Sequence, residues 1–309
     1  PPRSTLFPYT TLFRSNKDLD FIMILTYKEI LDKKLSVNSY LWPNEFDPYE
    51  FIKTIVKAEI KNIGLHTEFI EKFGINKLKQ ELTLNKINVT SLNSIGYFTD
   101  PKYFNENNKI LSYAKILKPE YVCVISGGIK GGPNPLSKLY TCNKSVLNIS
   151  QIRKDSSLKI KELFEQASSL KVNLGLEPIG SWEILKKGHF NSISSCLKFL
   201  KNNNHKLIID LYHSFSDVDL DLFLKNSKKL GLLQFSNINF DKDFRPSGRR
   251  NINVIREEND LDITRYLKYI FNRKDNTKVE FEIFPHDLKG NDPKKIIMNL
   301  KDNILKLFI

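Results

Sequence analysis

The sequence predicts an α/β fold of one kind, a single (β/α)8 barrel, and three observations carry that prediction. Strand-like and helix-like runs alternate from Met23 to the end of the chain, which calls for a parallel sheet. There are eight such pairs, with a closing helix after the last strand. The first strand-like run leads into Tyr40-Leu-Trp-Pro-Asn, without the glycine-rich phosphate turn that an open, doubly wound sheet would carry there. A chain of 309 residues accommodates one barrel of roughly 250 residues as a single unit.

The strand-like runs are Leu35–Leu41, Asn62–His66, Asn88–Ser94, Tyr121–Ser126, Val172–Glu177, Lys206–Asp210, Leu230–Phe235 and Val279–Phe284. Each is a short β-favouring stretch bounded by polar turns. The amphipathic stretches between and after them are Pro48–Ile60, Phe69–Leu84, Lys102–Leu117, Ser156–Leu170, Asn191–Lys201, Leu220–Lys229, Ile263–Phe271 and Pro293–Phe308. Residues 1–22 stand apart as a non-native or disordered leader: Ser4-Thr-Leu-Phe-Pro-Tyr-Thr-Thr-Leu-Phe-Arg-Ser15 nearly repeats itself and resembles translated adapter read-through. The barrel is therefore expected over residues 23–309.

Composition narrows the function classes. Hydrophobic residues make up 40% of the chain, enough for a sizeable core, and no apolar run approaches the roughly 20 residues of a membrane span. The net charge of +13 raises a nucleic-acid reading. Its lysines are dispersed along helices, however (Lys53, Lys57 and Lys61; Lys225, Lys228 and Lys229), and no run interleaves them with stacking aromatics, which points away from that partner. Cys123, Cys142 and Cys196 form no pattern, so a reducing cytoplasm is the default.

The chemistry is concentrated where strands end. Strands five to eight finish at Glu177, Asp210, Gln234 and Glu282, so four oxygen-bearing side chains from consecutive strands would meet at the C-terminal mouth, where barrels of this kind keep their active sites. A buried carboxylate is costly unless paired, and such an oxygen set suits one divalent cation: Mn²⁺, Mg²⁺, Co²⁺ or Zn²⁺. Glu280 shares the facing of Glu282, and the position nearer the rim favours Glu282. Two connections are long for plain loops, Gly127–Ser150 and Asn237–Asp262, and the second is rich in arginine.

The motifs resemble those of the sugar isomerase/epimerase superfamily, with its xylose isomerase-like TIM barrel. That group includes ketose 3-epimerases, hydroxypyruvate isomerases and inosose dehydratases. Glu177-Pro-Ile-Gly-Ser-Trp-Glu183 is similar to the strand-five motif, Asp210-Leu-Tyr-His213 to its Asp-x-x-His, Gln234-Phe-Ser-Asn to the strand-seven motif and Val279-Glu-Phe-Glu282 to the strand-eight ending. The resemblance implies that Glu177, Asp210, Gln234 and Glu282 bind metal. It also implies that Glu177 and Glu282 move the proton of an enediolate mechanism, with His213, Glu183 and His66 facing a carbohydrate substrate. Asn237 replaces the family's acid, and Arg245-Pro-Ser-Gly248 only approximates its Arg before Pro-Gly. Arg245, Arg249, Arg250 and Arg256 are therefore all candidates for the substrate contact. Barrels of this group pair or form tetramers, so a homodimer or homotetramer is an expectation too. The alternatives are a sugar-binding barrel without activity, a dehydratase, and an abasic-site nuclease resembling endonuclease IV; the last lacks its Asp-x-His here.

Overall fold

A computed structural model describes residues 26–98, 103–128, 149–184, 187–240, 246–254 and 261–308, apart from the side chains of 149, 239 and 246–249. The leader expected at 1–22 lies outside the described residues, as do most of the first long connection and both Arg245 and Arg256.

Eight parallel strands close the predicted barrel. In chain order they are β1 (Leu35–Asn38), β2 (Asn62–His66), β3 (Asn88–Ile95), β4 (Tyr121–Val124), β5 (Leu174–Leu176), β6 (Lys206–Asp210), β7 (Leu230–Phe235) and, after an antiparallel pair β8 (Asn237–Phe240) and β9 (Pro246–Asn251), the closing β10 (Lys278–Phe281). Closure is made by Leu35, Ser36 and Val37 pairing with Val279, Glu280 and Phe281. Helices alternate with the strands outside the barrel. Pro48–Lys57 and Pro293–Lys306 each begin with an Asp cap (Asp47, Asp292) followed by a proline whose missing N–H costs nothing at that position. No described helix is long and apolar enough to cross a membrane.

Three departures from the sequence expectation have local causes. The stretch Phe69–Leu84 is two helices, Thr67–Phe73 and Ile75–Leu84, because Gly74 adopts φ 84° between them. The first strand stops at Asn38, whose side-chain oxygen accepts the Tyr40 N–H at 3.0 Å and starts a 3₁₀ turn over Ser39–Leu41. The second long connection contains the β8–β9 hairpin, in which Ile238 faces Arg250 across the pair.

The period of two along each strand sorts the residues. Outward-pointing Val37, Val122, Leu176, Leu207, Ile209, Leu233, Val279 and Phe281 are fully buried against the helices in the main core. Each such side chain contributes about 1.5–3 kcal/mol by burial. Inward-pointing positions differ on the two sides of the barrel. Cys123, Ile208 and Leu232 join Ile125 and Ile179 in a small apolar cluster. Opposite them, the buried Glu280 carboxylate accepts bonds from Ser36 (3.1 Å), Thr90 (2.6 Å), Ser91 (2.7 Å), Asn38 (2.9 Å) and Gln234 (3.0 Å). Gly64 makes that possible, since a Cβ there would lie 2.5 Å from a Glu280 oxygen.

Candidate active site

β5, β6 and β10 run into the mouth and leave Glu177, Asp210 and Glu282 just at or beyond their last residues, all three buried. Neighbouring strands set the heights: Asp210 pairs in register with Gln234, and Gln234 with Glu280. Glu282 follows one pleat later, its backbone N–H bonded to the Phe235 carbonyl at 3.1 Å. Glu280 therefore sits a layer below, inside its cage of hydroxyls, and Glu282 occupies the rim.

Glu177, Asp210 and His213 each present one ligand atom such that all three atoms lie within 4.8 Å of one another. His213 is brought there by the single turn Leu211–Ser214, capped by Asp210 itself, whose Oδ1 accepts the Tyr212 N–H at 3.0 Å. Burial drives the His213 ring down to about 3, so it is neutral at physiological pH, and its Nδ1 is buried without a hydrogen-bond partner. The Gln234 carbonyl oxygen is likewise buried and unpartnered, while its amide donates to Glu282 at 3.1 Å. Two carboxylates, a neutral imidazole and an orphaned amide oxygen are a donor set that fits a divalent ion.

A second cation already stands in this group. Arg250, 4% exposed, extends its guanidinium from β9 into the mouth. Nη1 and Nη2 donate to the two Asp210 oxygens at 3.0 and 2.5 Å, and Nη2 lies 3.0 Å from Glu282 Oε2. The guanidinium lies against the Tyr212 and Phe284 rings, 4.8 and 5.1 Å from their centroids. Burial works against its charge, but Asp210 and Glu282 outweigh that and push its proton affinity up. Burial would also raise Asp210, yet the facing guanidinium holds it below the usual carboxylate range. Glu177 and Glu282 go the other way. Burial, with Asp210 next to it, pushes Glu177 up to about 7. Burial keeps Glu282 well above the usual range even with Arg250 against it.

The remaining sequence candidates surround this centre. Glu183 ends the 3₁₀ turn Ser181–Glu183, half-buried, beside Trp182, which packs on His213, Tyr212 and Phe215. His66 closes β2, its Nδ1 2.7 Å from Ser39 Oγ and its ring stacked 4.5 Å from Tyr40. Burial lowers it to about 4. A cavity of about 710 Å³ opens at this side of the mouth, with Tyr40, Trp42, His66, Tyr97 and Phe284 in its wall. Arg249 lies on β9, but its side chain falls outside the described residues, as Arg245 and Arg256 do entirely. Sequence reasoning missed two contacts: the Arg250 bridge, and Cys123, which donates to Glu177 at 2.9 Å from inside the barrel. The inward parity of Cys123, two residues ahead of Ile125 on the same face, was the available signal.

No family model matches the chain, and no curated protein matches its sequence. Solved structures do match. A xylose isomerase domain containing protein from Salmonella typhimurium LT2 superposes with a TM-score of 0.66 over 90% of this chain and 98% of that one, at 13% identity. The fold is that of the xylose isomerase-like barrels. Two other matches have TM-scores of 0.63. One is the IolI protein with a bound zinc atom, 18% identical over 89% of this chain and 97% of that. The other is D-psicose 3-epimerase in the presence of D-fructose, 13% identical over 88% and 96%.

Proposed function

We propose that the protein is an isomerase or epimerase of a sugar, sugar phosphate or related small hydroxy-carbonyl compound, using one divalent ion. The observation that carries this is the pair of buried rim carboxylates, Glu177 and Glu282, both held above the ordinary carboxylate range on either side of Asp210. Glu177, pushed up to about 7, can accept and return a proton near neutral pH, and Glu282, held above the ordinary range, can supply one. Removing the proton next to a carbonyl and returning it from another carboxyl, or to another carbon, is epimerisation or isomerisation. The similarity to an epimerase structure supports the same class of reaction, and that to IolI with its bound zinc supports the ion.

In this reading Glu177, Asp210 and His213 hold the ion, and the buried, unpartnered Gln234 carbonyl oxygen is a further donor for it. A divalent ion so placed would polarise the substrate carbonyl. Glu177 takes the proton on one side and Glu282 supplies one on the other. Cys123 donates to Glu177 Oε2 and so fixes which carboxylate edge is free. Gln234 holds Glu282 Oε1, while Oε2 faces Arg250. The cavity lined by Tyr40, Tyr97 and Phe284, of a size suited to a small ligand, takes the rest of the molecule.

The test is solvent deuterium exchange. Ketoses, their phosphates, hydroxypyruvate and inososes are incubated in D₂O with Mn²⁺, Mg²⁺ or Co²⁺ and read by NMR. Wild type should label the carbon next to the carbonyl of at least one compound, while Glu177→Gln and Glu282→Gln should not. No labelling of any compound with any ion would remove the isomerase reading.

A further inference from the structure

Arg250 was not needed for the proton transfer above, and its surroundings show what it does. Both Nη atoms of the guanidinium are engaged. Asp210 takes both Nη atoms, Glu282 takes Nη2, Ser236 Oγ lies 3.3 Å from Nη1, and Tyr212 and Phe284 pack against it. Its backbone N–H is pinned to Asp287 Oδ1 at 3.1 Å, which ties the hairpin to the turn after β10. This is a built site for a monovalent cation, supplied by the chain itself.

A divalent ion held by Glu177, Asp210 and His213 would need an Asp210 oxygen at roughly 2.0–2.2 Å, and both oxygens already accept the guanidinium fork, Oδ1 the Tyr212 N–H as well. Two cations on the same oxygens repel in a site where burial weakens screening. We propose that Arg250 and the divalent ion are mutually exclusive partners of Asp210. Arg250 is a resident latch that sets the apparent metal affinity, and the ion enters only when the guanidinium withdraws. The inference rests on the metal-using reading above. The measured affinity is then the intrinsic one scaled down by the fraction of molecules with the latch open.

The experiment measures Mn²⁺ binding to the full chain by calorimetry and equilibrium dialysis, without substrate. Arg250→Met should bind one Mn²⁺ per chain about 10- to 100-fold more tightly than wild type. Adding Asp210→Asn to that variant should abolish the binding. Lys187→Met removes a cation that also acts on Glu177 and His213 but only at long range, so it should change affinity by less than about 3-fold. Arg250→Lys keeps a charge without the fork and should fall between wild type and Arg250→Met, which covers the case in which the methionine variant fails to fold. Equal or weaker binding in both Arg250 variants would overturn the latch. So would an equal gain in Lys187→Met, or binding that survives Asp210→Asn. The two proposals fail separately. Tighter metal binding without deuterium exchange in any protein sinks the isomerase reading and leaves the latch; exchange in wild type with no gain in the Arg250 variants does the reverse.

Discussion

Glu280 and Glu282 stand two residues apart on one strand, face the same way, and are both almost wholly buried, yet they live under different rules. Glu280 accepts bonds from five surrounding side chains, and its charge is spread over their hydroxyls and amides. Glu282 has fewer donors. It shares Arg250 with Asp210 and Gln234 with Glu280, and burial leaves its proton affinity high. The difference teaches that burial alone does not make a carboxylate reactive. A saturated acid is part of the scaffold, whereas one that competes for its partners remains available to exchange a proton.

The largest break in this comparison should come from Glu282→Gln. Turnover falls about 10²–10⁴-fold while the unfolding midpoint hardly moves, measured by steady-state kinetics beside a urea titration. Glu280→Gln should show the reverse, since its amide turns donors toward the Ser91 and Asn38 donors. A loss of about 2–4 kcal/mol in the same titration is expected, with turnover per folded molecule retained.

A pH series sharpens the contrast through Glu177. Its native value of about 7 lies above that of an unfolded chain, near 4.3, so the native state binds the extra proton between those limits. Stability from this group is present below about pH 4 and is lost as pH rises toward 7. The buried histidines work in the opposite direction, so the comparison is made against Glu177→Gln in the presence of a chelator. The advantage of wild type over the variant should shrink by about 2–3 kcal/mol across that window. A flat difference would contradict it. The smallest effect belongs to Gly64→Ala, which presses a methyl group onto the Glu280 carboxylate and should cost about 1–3 kcal/mol without touching the Glu282 side of the mouth.

Much of this was legible in the sequence, for reasons that can be named. The spans Asn62–His66, Lys206–Asp210 and Leu230–Phe235 have the predicted limits because polar turns bracket them on both sides. Glu177 and Asp210 could be placed at the barrel mouth because each ends a short apolar run. What could not be read was pairing. No local pattern shows that Glu280 meets Thr90 and Ser91, residues separated by about 190 positions. Arg250 was one arginine among several because its burial depends on a hairpin whose register the chain does not advertise. The break at Gly74 was missed since the apolar spacing continues through it.

The hairpin carries a consequence of its own. Arg250 reaches the mouth on β9, a strand outside the barrel hydrogen-bond network, and points inward only through the parity of its pairing with Ile238. One residue inserted between 246 and 250 would turn that side chain outward while leaving all eight barrel strands in place. The charge that neutralises Asp210 and Glu282 is thus carried on a strand outside the barrel, and a change in that strand alone alters it without rebuilding the wall.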